Sequence, residues 1–238
     1  MPAMPKDTKG KNNLKENFYE WEFNNDMQYK IKSRCEDLGI TVFLTNPNPS
    51  TVSDIALSTR ASLANDYWLR KSKPKSMFIS LHANAFSSDT ARGTETYIAK
   101  NASATSKNFA KALNDNIVST MRKIDSSAKD RGVKTENFTV IYKAAMPSVL
   151  VEYGFYTNLN DLKILKNNRN ELVEATVKAI CDYFGIKYKA QANKNNTETN
   201  TFYRVVAGSY SNKENAQKQI ENLKKKGIDN AFIDIYKK

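Results

Sequence analysis

Histidine and cysteine are scarce in this sequence. Its 238 residues include a single histidine, His82, so any imidazole chemistry must take place at that residue. The two cysteines, Cys35 and Cys181, lie far apart in the sequence, and each falls on the apolar side of a helical pattern. We expect both to be buried thiols in a chain that folds without disulfides.

Long apolar runs are also missing. No stretch approaches the roughly 20 apolar residues that a membrane-spanning helix needs. The N-terminal residues lack the apolar core of a signal peptide, and residues 1–15 are polar, contain proline and glycine, and predict a loop. The sequence therefore argues against membrane insertion.

The net charge of +12 predicts a polyanionic partner. Nucleic acid, an anionic membrane surface and a wall that carries teichoic acid would each fit. Nucleic acid is disfavoured because the sequence has no basic run interleaved with aromatic residues and no helix-turn-helix or zinc-finger spacing.

Two short apolar stretches end in polar residues that could carry chemistry. Residues 77–81 form an apolar run of the kind that makes a buried strand, and His82 and Asn84 follow it. Residues 149–151 form a second apolar run that ends at Glu152. Ligands of α/β proteins bind at the carboxyl ends of parallel strands, so an imidazole and a carboxylate at two such ends indicate metal-assisted hydrolysis. For His82 alone, a strand end that merely hydrogen-bonds to a loop is the simpler interpretation.

Together the two motifs resemble one family. Ser80-Leu81-His82-Ala83-Asn84-Ala85, followed by Val151-Glu152-Tyr153-Gly154-Phe155-Tyr156-Thr157-Asn158, is similar to the zinc-dependent N-acetylmuramoyl-L-alanine amidases of type 3, found in bacterial cell-wall hydrolases and phage endolysins. The resemblance implies a Zn²⁺ cofactor and peptidoglycan as substrate.

The same resemblance implies roles for particular residues. His82 and Glu22 would be zinc ligands, and Glu152 would move the proton from the attacking water to the leaving amine. Asn84 and Arg60 match positions that would contact substrate. Arg60 could equally be a structural ion-pair residue, and Glu22 a carboxylate favoured near a helix N-terminus.

The alternation of strands and helices from Ile40 to Gly185 predicts an α/β fold with a mainly parallel sheet flanked by helices. Within it, residues 39–45 are rich in β-branched side chains and predict a strand. The first helix, however, has no strand before it, although parallel strands are joined in βαβ units. We therefore expect residues 1–190 to form an amidase domain that lacks its first strand.

The resemblance also places a further zinc-binding histidine after that first strand, and no histidine precedes His82. Catalytic zinc usually has three protein ligands, so the activity expected of this chain is in doubt. Three explanations stay open: an amino-terminally shortened amidase, an inactive amidase that still binds the wall, or replacement of the histidine by another group such as Asp7.

The composition changes near residue 190. Residues 191–201 are almost free of apolar side chains and predict a linker. Residues 202–238 predict a βαβ unit with a helix between two strands, and this unit resembles one repeat of the SPOR peptidoglycan-binding module, of which about half is present. We expect so small a unit to be marginally stable alone.

Two functions follow from these observations. The first is zinc-dependent hydrolysis of the amide bond between N-acetylmuramic acid and L-alanine, in which Glu152 is the acid-base group. The second is a catalytically impaired amidase that acts as a peptidoglycan-binding protein. In either case we expect a monomer that does not bind nucleic acid, is made in the cytoplasm, acts at the cell wall and is released by a holin or by lysis.

Overall fold

The computed structural model describes residues 18–47, 55–191, 210–228 and the single residues 208 and 233. The first 17 residues, with Asp7, lie outside this part of the chain. The polypeptide divides into two compact units, Met1–Ala190 and Gln191–Lys238. In the second unit the described structure is mainly one helix, so the strands expected there lie outside the described residues.

The described part of the first unit is a four-stranded sheet with helices on both faces. In chain order its elements are α1 (Glu20–Asp37), α2 (Leu57–Arg70), β1 (Phe78–Asn84), β2 (Thr94–Ile98), α3 (Ala104–Ile124), β3 (Asp130–Thr135), α4 (Thr139–Tyr142), β4 (Ser148–Phe155), α5 (Leu159–Asn167) and α6 (Arg169–Phe184); α7 (Lys213–Lys225) belongs to the second unit. The predicted α/β class is confirmed.

The sheet has the strand order β1-β4-β2-β3. β1 pairs with β4 and β2 pairs with β3 in parallel, whereas β2 and β4 are antiparallel. Two of the three pairings are parallel, in agreement with the mainly parallel sheet that was expected, and the antiparallel pairing makes the sheet mixed.

The core forms on both faces of β4, which is buried along nearly its whole length. Alternate residues Val149, Val151 and Tyr153 pack in a cluster with α1, α3 and α6. Leu150 points the other way and packs with residues of α2 and α4. A strand covered on both faces has no position that faces solvent, so it favours apolar side chains throughout. This is why Ser148 is followed by the continuous apolar run of residues 149–151.

The strand expected at residues 39–45 is not found in the described structure. Residues 40–44 have the residue types that are typical of a strand, but they pair with no strand of the described chain. Between described residues, the backbone of this stretch is bonded where Ile40 N–H donates to the Cys35 carbonyl at the end of α1. β-branched residues favour a strand only where a neighbouring strand supplies hydrogen-bond partners.

The two cysteines are buried and free, as expected. Burial raises the pKa of Cys35 to about 12, so this thiol stays protonated and unreactive at neutral pH. None of the described helices has the length and apolarity needed to cross a membrane.

Candidate active site

His82 and Glu152 lie side by side at the carboxyl ends of two neighbouring strands. They are direct register partners in the parallel pairing of β1 with β4. Parallel pairing brings the ends of β1 and β4 to the same edge of the sheet, where ligands of α/β proteins bind. The expected meeting of these two residues is therefore found.

The imidazole of His82 is held at both of its nitrogens. Nδ1 lies 2.8 Å from Glu20 Oε1, and Nε2 lies 2.9 Å from the hydroxyl of Ser80 on the same face of β1. Burial is the largest single effect and lowers the pKa of His82, but the hydrogen bond to Glu20 and the negative charges of Glu152 and Glu20 together outweigh it, so the pKa of His82 is raised. Nearby Arg60 acts in the opposite direction, through its positive charge.

The carboxylate beside His82 belongs to Glu20 and not to the expected Glu22. Glu20 lies in the first turn of α1 and also accepts a hydrogen bond from Ala83 N–H at 3.4 Å, whereas Glu22 is exposed. Residues two apart on a helix point about 200° apart, so only one of them can face β1. The placement predicted for Glu22 is corrected to Glu20.

The sequence did contain a signal for Glu20. The buried stripe of α1 includes Phe23 and Met27. Glu20 precedes these two residues by three and seven positions, which are the spacings of one helix face, and Glu22 falls on another face.

Glu152 has a buried carboxylate with one unpaired oxygen. Its Oε2 is inaccessible to solvent and has no hydrogen-bond partner in the part of the chain that the structure describes. Burial raises the pKa of Glu152 to about 8; the charge of His82 opposes this rise, and the charges of Glu20 and Glu95 add to it. A carboxyl group with such a pKa can both take up and release a proton near neutral pH.

Asn84 is positioned by a charged residue that the sequence did not reveal. Its amide nitrogen donates to Glu95 Oε1 at 2.8 Å, and its side-chain oxygen accepts from Ala85 N–H at 2.8 Å. Glu95 is 1% exposed and is also paired with Arg131 and Lys134 from β3. The sequence contained one indication of this role: Glu95 falls inside an alternating strand, where a buried charge without a partner would be costly in free energy.

Arg60 lies along the same cavity as His82 and Glu152. Its Nε donates to the carbonyl of Ile55 at 2.8 Å, which ties the side chain to the segment before α2. The structure therefore places Arg60 at the site and gives it a structural contact as well.

Comparison with known proteins decides the family. The model of the N-acetylmuramoyl-L-alanine amidase family matches residues 5–182, and the model of the SPOR domain matches residues 182–234. The chain belongs to the N-acetylmuramoyl-L-alanine amidase family.

Two similar curated proteins are named as amidases. The chain is 33% identical over 148 residues to the N-acetylmuramoyl-L-alanine amidase LytC of Bacillus subtilis, which covers 62% of this chain and 27% of LytC. It is 26% identical over 197 residues to the sporulation-specific N-acetylmuramoyl-L-alanine amidase of the same organism, with 82% and 68% covered. The chain thus spans about a quarter of the length of one relative and about two thirds of the other.

Solved amidase structures share the fold. The catalytic domain of CwlV, an N-acetylmuramoyl-L-alanine amidase from Bacillus (Paenibacillus) polymyxa var. colistinus, superposes with a TM-score of 0.61 at 27% identity, covering 73% of this chain and 89% of CwlV. The N-acetylmuramoyl-L-alanine amidase of Clostridium difficile 630 gives a TM-score of 0.60 at 28% identity, covering 71% and 86%.

The described residues of this amidase do not form a complete zinc site. Within residues 18–47 and 55–191 and the described part of the second unit, no three His, Cys, Asp or Glu side chains are grouped as a metal would require. His82 and Glu20 are two candidate ligands, and a metal at either imidazole nitrogen would replace a hydrogen bond to Glu20 or Ser80. Catalytic zinc usually has three protein ligands.

Proposed function

We propose that this chain hydrolyses the amide bond between N-acetylmuramic acid and L-alanine in peptidoglycan, with Glu152 as the acid-base group. The observation that carries the proposal is the buried, unpaired Oε2 of Glu152 next to His82 at the carboxyl edge of the sheet. Family membership and relatives named as amidases support the bond and the substrate.

In this reaction the carboxylate of Glu152 accepts a proton from the water that attacks the lactyl carbonyl carbon. The same carboxyl group then gives the proton to the nitrogen of L-alanine as the C–N bond breaks, leaving a carboxylic acid and a free amine. We propose that Asn84, held by Glu95, and Arg60 contact the substrate from the wall of the cavity.

We also propose that hydrolysis depends on zinc, as it generally does in this family. His82 and Glu20 are the ligands that the described residues can supply, so at least one further ligand must come from outside them. Asp7, which is outside the described residues, remains a candidate for that place. Metal analysis of the purified protein tests the cofactor, and loss of zinc in His82→Ala would support His82 as a ligand.

The substitution Glu152→Gln tests the acid-base role. The amide keeps the shape of the carboxylate but cannot accept a proton, so release of soluble peptide from purified wall should fall at least about a hundredfold, while zinc content stays unchanged. Each turnover exposes one new alanine amino group, which can be counted directly. Equal rates for wild type and Glu152→Gln would overturn the proposed role.

The second candidate function is wall binding with little or no catalysis. The incomplete ligand set among the described residues favours it, and the SPOR match at residues 182–234 supports a contact with peptidoglycan. We propose residues 1–190 as the amidase domain, 191–201 as linker and 202–238 as the SPOR-like unit, in a monomer that acts at the cell wall. Wild-type protein that sediments with wall but releases no alanine amino groups, with zinc added, would select this second function.

A further inference from the structure

The turn between α2 and β1 is strongly basic. Arg70, Lys71, Lys73 and Lys75 are four cations within six consecutive residues, and all four residues are exposed. No Asp or Glu occurs from residue 67 to residue 81. In the described chain none of these four cations pairs with a carboxylate, whereas cations of α1 and β3 do. The turn therefore carries positive charge that the described part of the protein does not neutralise.

Aromatic rings of α2 lie under two of the lysines. Lys71 Nζ is 5.9 Å from the ring centroid of Tyr67, and Lys73 Nζ is 5.9 Å from that of Trp68. A ring at this distance attracts a cation but does not neutralise it. The two ammonium groups are thus held in place while they keep their charge.

Hydrogen bonds fix the backbone of the same turn. Trp68 Nε1 donates to the Pro74 carbonyl at 2.8 Å, and the Tyr183 hydroxyl of α6 donates to the Ser76 carbonyl at 3.0 Å. Lys75 Nζ donates to the Tyr183 carbonyl at 2.6 Å, which uses one of its three N–H donors. Cations that are fixed before a ligand arrives lose less conformational entropy when the ligand binds.

The turn has a lysine at a position that suits glycine. Ser72 and Lys73 have positive φ angles of 62° and 55°. Glycine adopts this left-handed conformation without strain, whereas a side chain with a Cβ is strained there. Strained backbone of this kind is concentrated at functional segments. The side chain of Lys73 therefore points to a use beyond the folding of the turn.

Charge compensation at the end of the helix explains only part of the cluster. α2 ends at Arg70, so Arg70 and Lys71 lie where cations interact favourably with the C-terminal end of the helix dipole. This effect is confined to the last turn of a helix, so it does not account for Lys73.

We propose that residues 70–75, the basic turn, bind a phosphodiester polymer of the cell wall, a polyol phosphate chain of the teichoic-acid type. Lysine ammonium groups bind phosphate oxygens as point charges and so accept a flexible chain. The proposal depends on action at the wall but not on hydrolysis.

The basic turn is separate from the catalytic edge. It precedes the amino end of β1, and the strand rises about 13 Å from Phe78 to His82. Arg70 and Lys73 are not part of the lining of the cavity that contains His82 and Glu152. A polymer on the basic turn would therefore hold the enzyme on the wall and leave the candidate active site open.

Nucleic acid and a membrane surface fit the basic turn less well. Single-stranded nucleic acid stacks its bases on free aromatic faces. Lysines lie over the rings of Tyr67 and Trp68, and Tyr67 also stacks on Phe43. A membrane-surface site needs a stripe of apolar side chains. From residue 57 to residue 77 of the described structure, Leu69 is the single large apolar residue that is exposed.

The test measures binding of the full-length protein to fluorescently labelled poly(glycerol phosphate) by anisotropy. The turn variant combines Arg70→Gln, Lys71→Gln and Lys73→Gln. The control variant changes three exposed lysines of α3 and α5 in the same way: Lys107, Lys123 and Lys163. Both variants lose three charges from the net charge of +12. The turn variant should bind at least about tenfold more weakly than wild type, and the control variant within about twofold of it.

Two further readouts separate phosphate contacts from effects on folding. The slope of log affinity against log salt concentration should become shallower by about 2 in the turn variant, because fewer counterions are released. Lys73→Gly removes one cation and also the strain at a positive φ. It should bind about threefold more weakly, while its melting temperature stays close to that of wild type.

Three outcomes would overturn the proposal. The first is no binding of poly(glycerol phosphate) to wild-type protein. The second is equal affinity of the turn and control variants, which would assign binding to general charge or to the SPOR-like unit that both retain. The third is tighter binding of single-stranded DNA or of phosphatidylglycerol vesicles that the turn variant loses. Glu152→Gln should bind the polymer as wild type does, so a failure of the proposed hydrolysis is seen separately.

Discussion

At the scale of single residues, the site depends on which carboxylate faces His82. Glu20 and Glu22 share the first turn of α1, and only Glu20 reaches the imidazole. Burial raises the pKa of Glu20, but the hydrogen bond and charge of His82 outweigh burial, so its pKa is lowered overall. Glu20 is therefore ionised at neutral pH and fixes the orientation of the imidazole.

The pair offers a controlled substitution. Glu20→Gln should lower wall hydrolysis at least about tenfold, because the neutral amide forms a weaker hydrogen bond with His82 and does not stabilise a positive charge on the imidazole. Zinc content should also fall if Glu20 is a ligand. Glu22→Gln changes an exposed side chain and should leave both rate and zinc content as in wild type. A loss of activity in Glu22→Gln that equals the loss in Glu20→Gln would restore Glu22 to the site.

Glu95 gives a prediction on pH. Burial raises its pKa, but hydrogen bonds from Lys134, Arg131 and Tyr97 outweigh burial and hold the pKa below the ordinary 4.5. A lowered pKa in the folded state means that the charged Glu95 stabilises the protein above about pH 4.5 and that this contribution is lost as the pH falls through the folded pKa.

The matching variant is Glu95→Gln. At pH 7 it should melt below wild type, since Arg131 and Lys134 lose their partner, at a cost of about 1 to 3 kcal/mol. The difference in melting temperature between the two proteins should shrink steadily as the pH is lowered below 4.5. A difference that stays constant from pH 7 to pH 3 would show that the charge of Glu95 does not stabilise the fold.

At the scale of elements, Asp161 ties the end of β4 to the start of β2. This carboxylate of α5 is fully buried and accepts from Gly93 N–H at 2.7 Å and from Phe155 N–H at 3.0 Å. It also pairs with Arg92. The carboxylate thus satisfies the backbone where β4 leaves the sheet, next to the edge that carries His82 and Glu152.

Arg92 has a second acidic partner, Asp125. Substitutions of Asp161 and Asp125 can therefore be compared, because both carboxylates contact the same guanidinium. Asp161→Ala should destabilise the fold by about 2 to 5 kcal/mol, because two buried backbone donors lose their acceptor and Arg92 keeps only its less buried acidic partner. Asp125→Ala removes a partly exposed partner and should cost about 1 kcal/mol or less. Denaturant unfolding measures both; similar losses would mean that burial does not distinguish the two contacts.

At the scale of the whole molecule, the chain has an amidase unit and a SPOR-like unit that are separate compact bodies. The amidase unit extends a few residues beyond α6: Arg34 Nη2 donates to the Lys189 carbonyl at 2.8 Å, and Tyr188 bonds to Glu174. A cut after Ala190 preserves these contacts. The SPOR match starts earlier, at residue 182, so a cut there would remove part of the amidase core.

Residues 1–190 alone should therefore fold and hydrolyse short soluble muramoyl peptides at the rate of the full chain. On intact wall they should be slower, because the wall contact proposed for the second unit is lost. A larger fraction of the full chain than of residues 1–190 should sediment with wall. This difference between the two proteins should become smaller as added salt screens the positive charge of the full chain. Equal sedimentation of the two proteins at low salt would show that residues 191–238 do not contribute to wall binding.

The sequence by itself determined the two strands that carry His82 and Glu152 and the helices between them. These elements are encoded locally, in apolar runs of strand length and in stripes such as Phe109, Leu113 and Ile117 on α3, all of which are buried. The family motifs lie on the same strands, so the fold and the positions of His82 and Glu152 could be predicted together.

Only the tertiary structure decided the rest. The rotation of α1 about its axis selects Glu20 over Glu22, and the antiparallel approach of β2 to β4 brings Glu95 beside Asn84 and Glu152. Residues 40–45 have the composition of a strand but find no strand partner in the described structure. The pairing of strands and the neighbours that a side chain faces depend on residues far apart in the chain, whereas sequence periodicity reports only on residues close in sequence. These features therefore could not be predicted from the sequence.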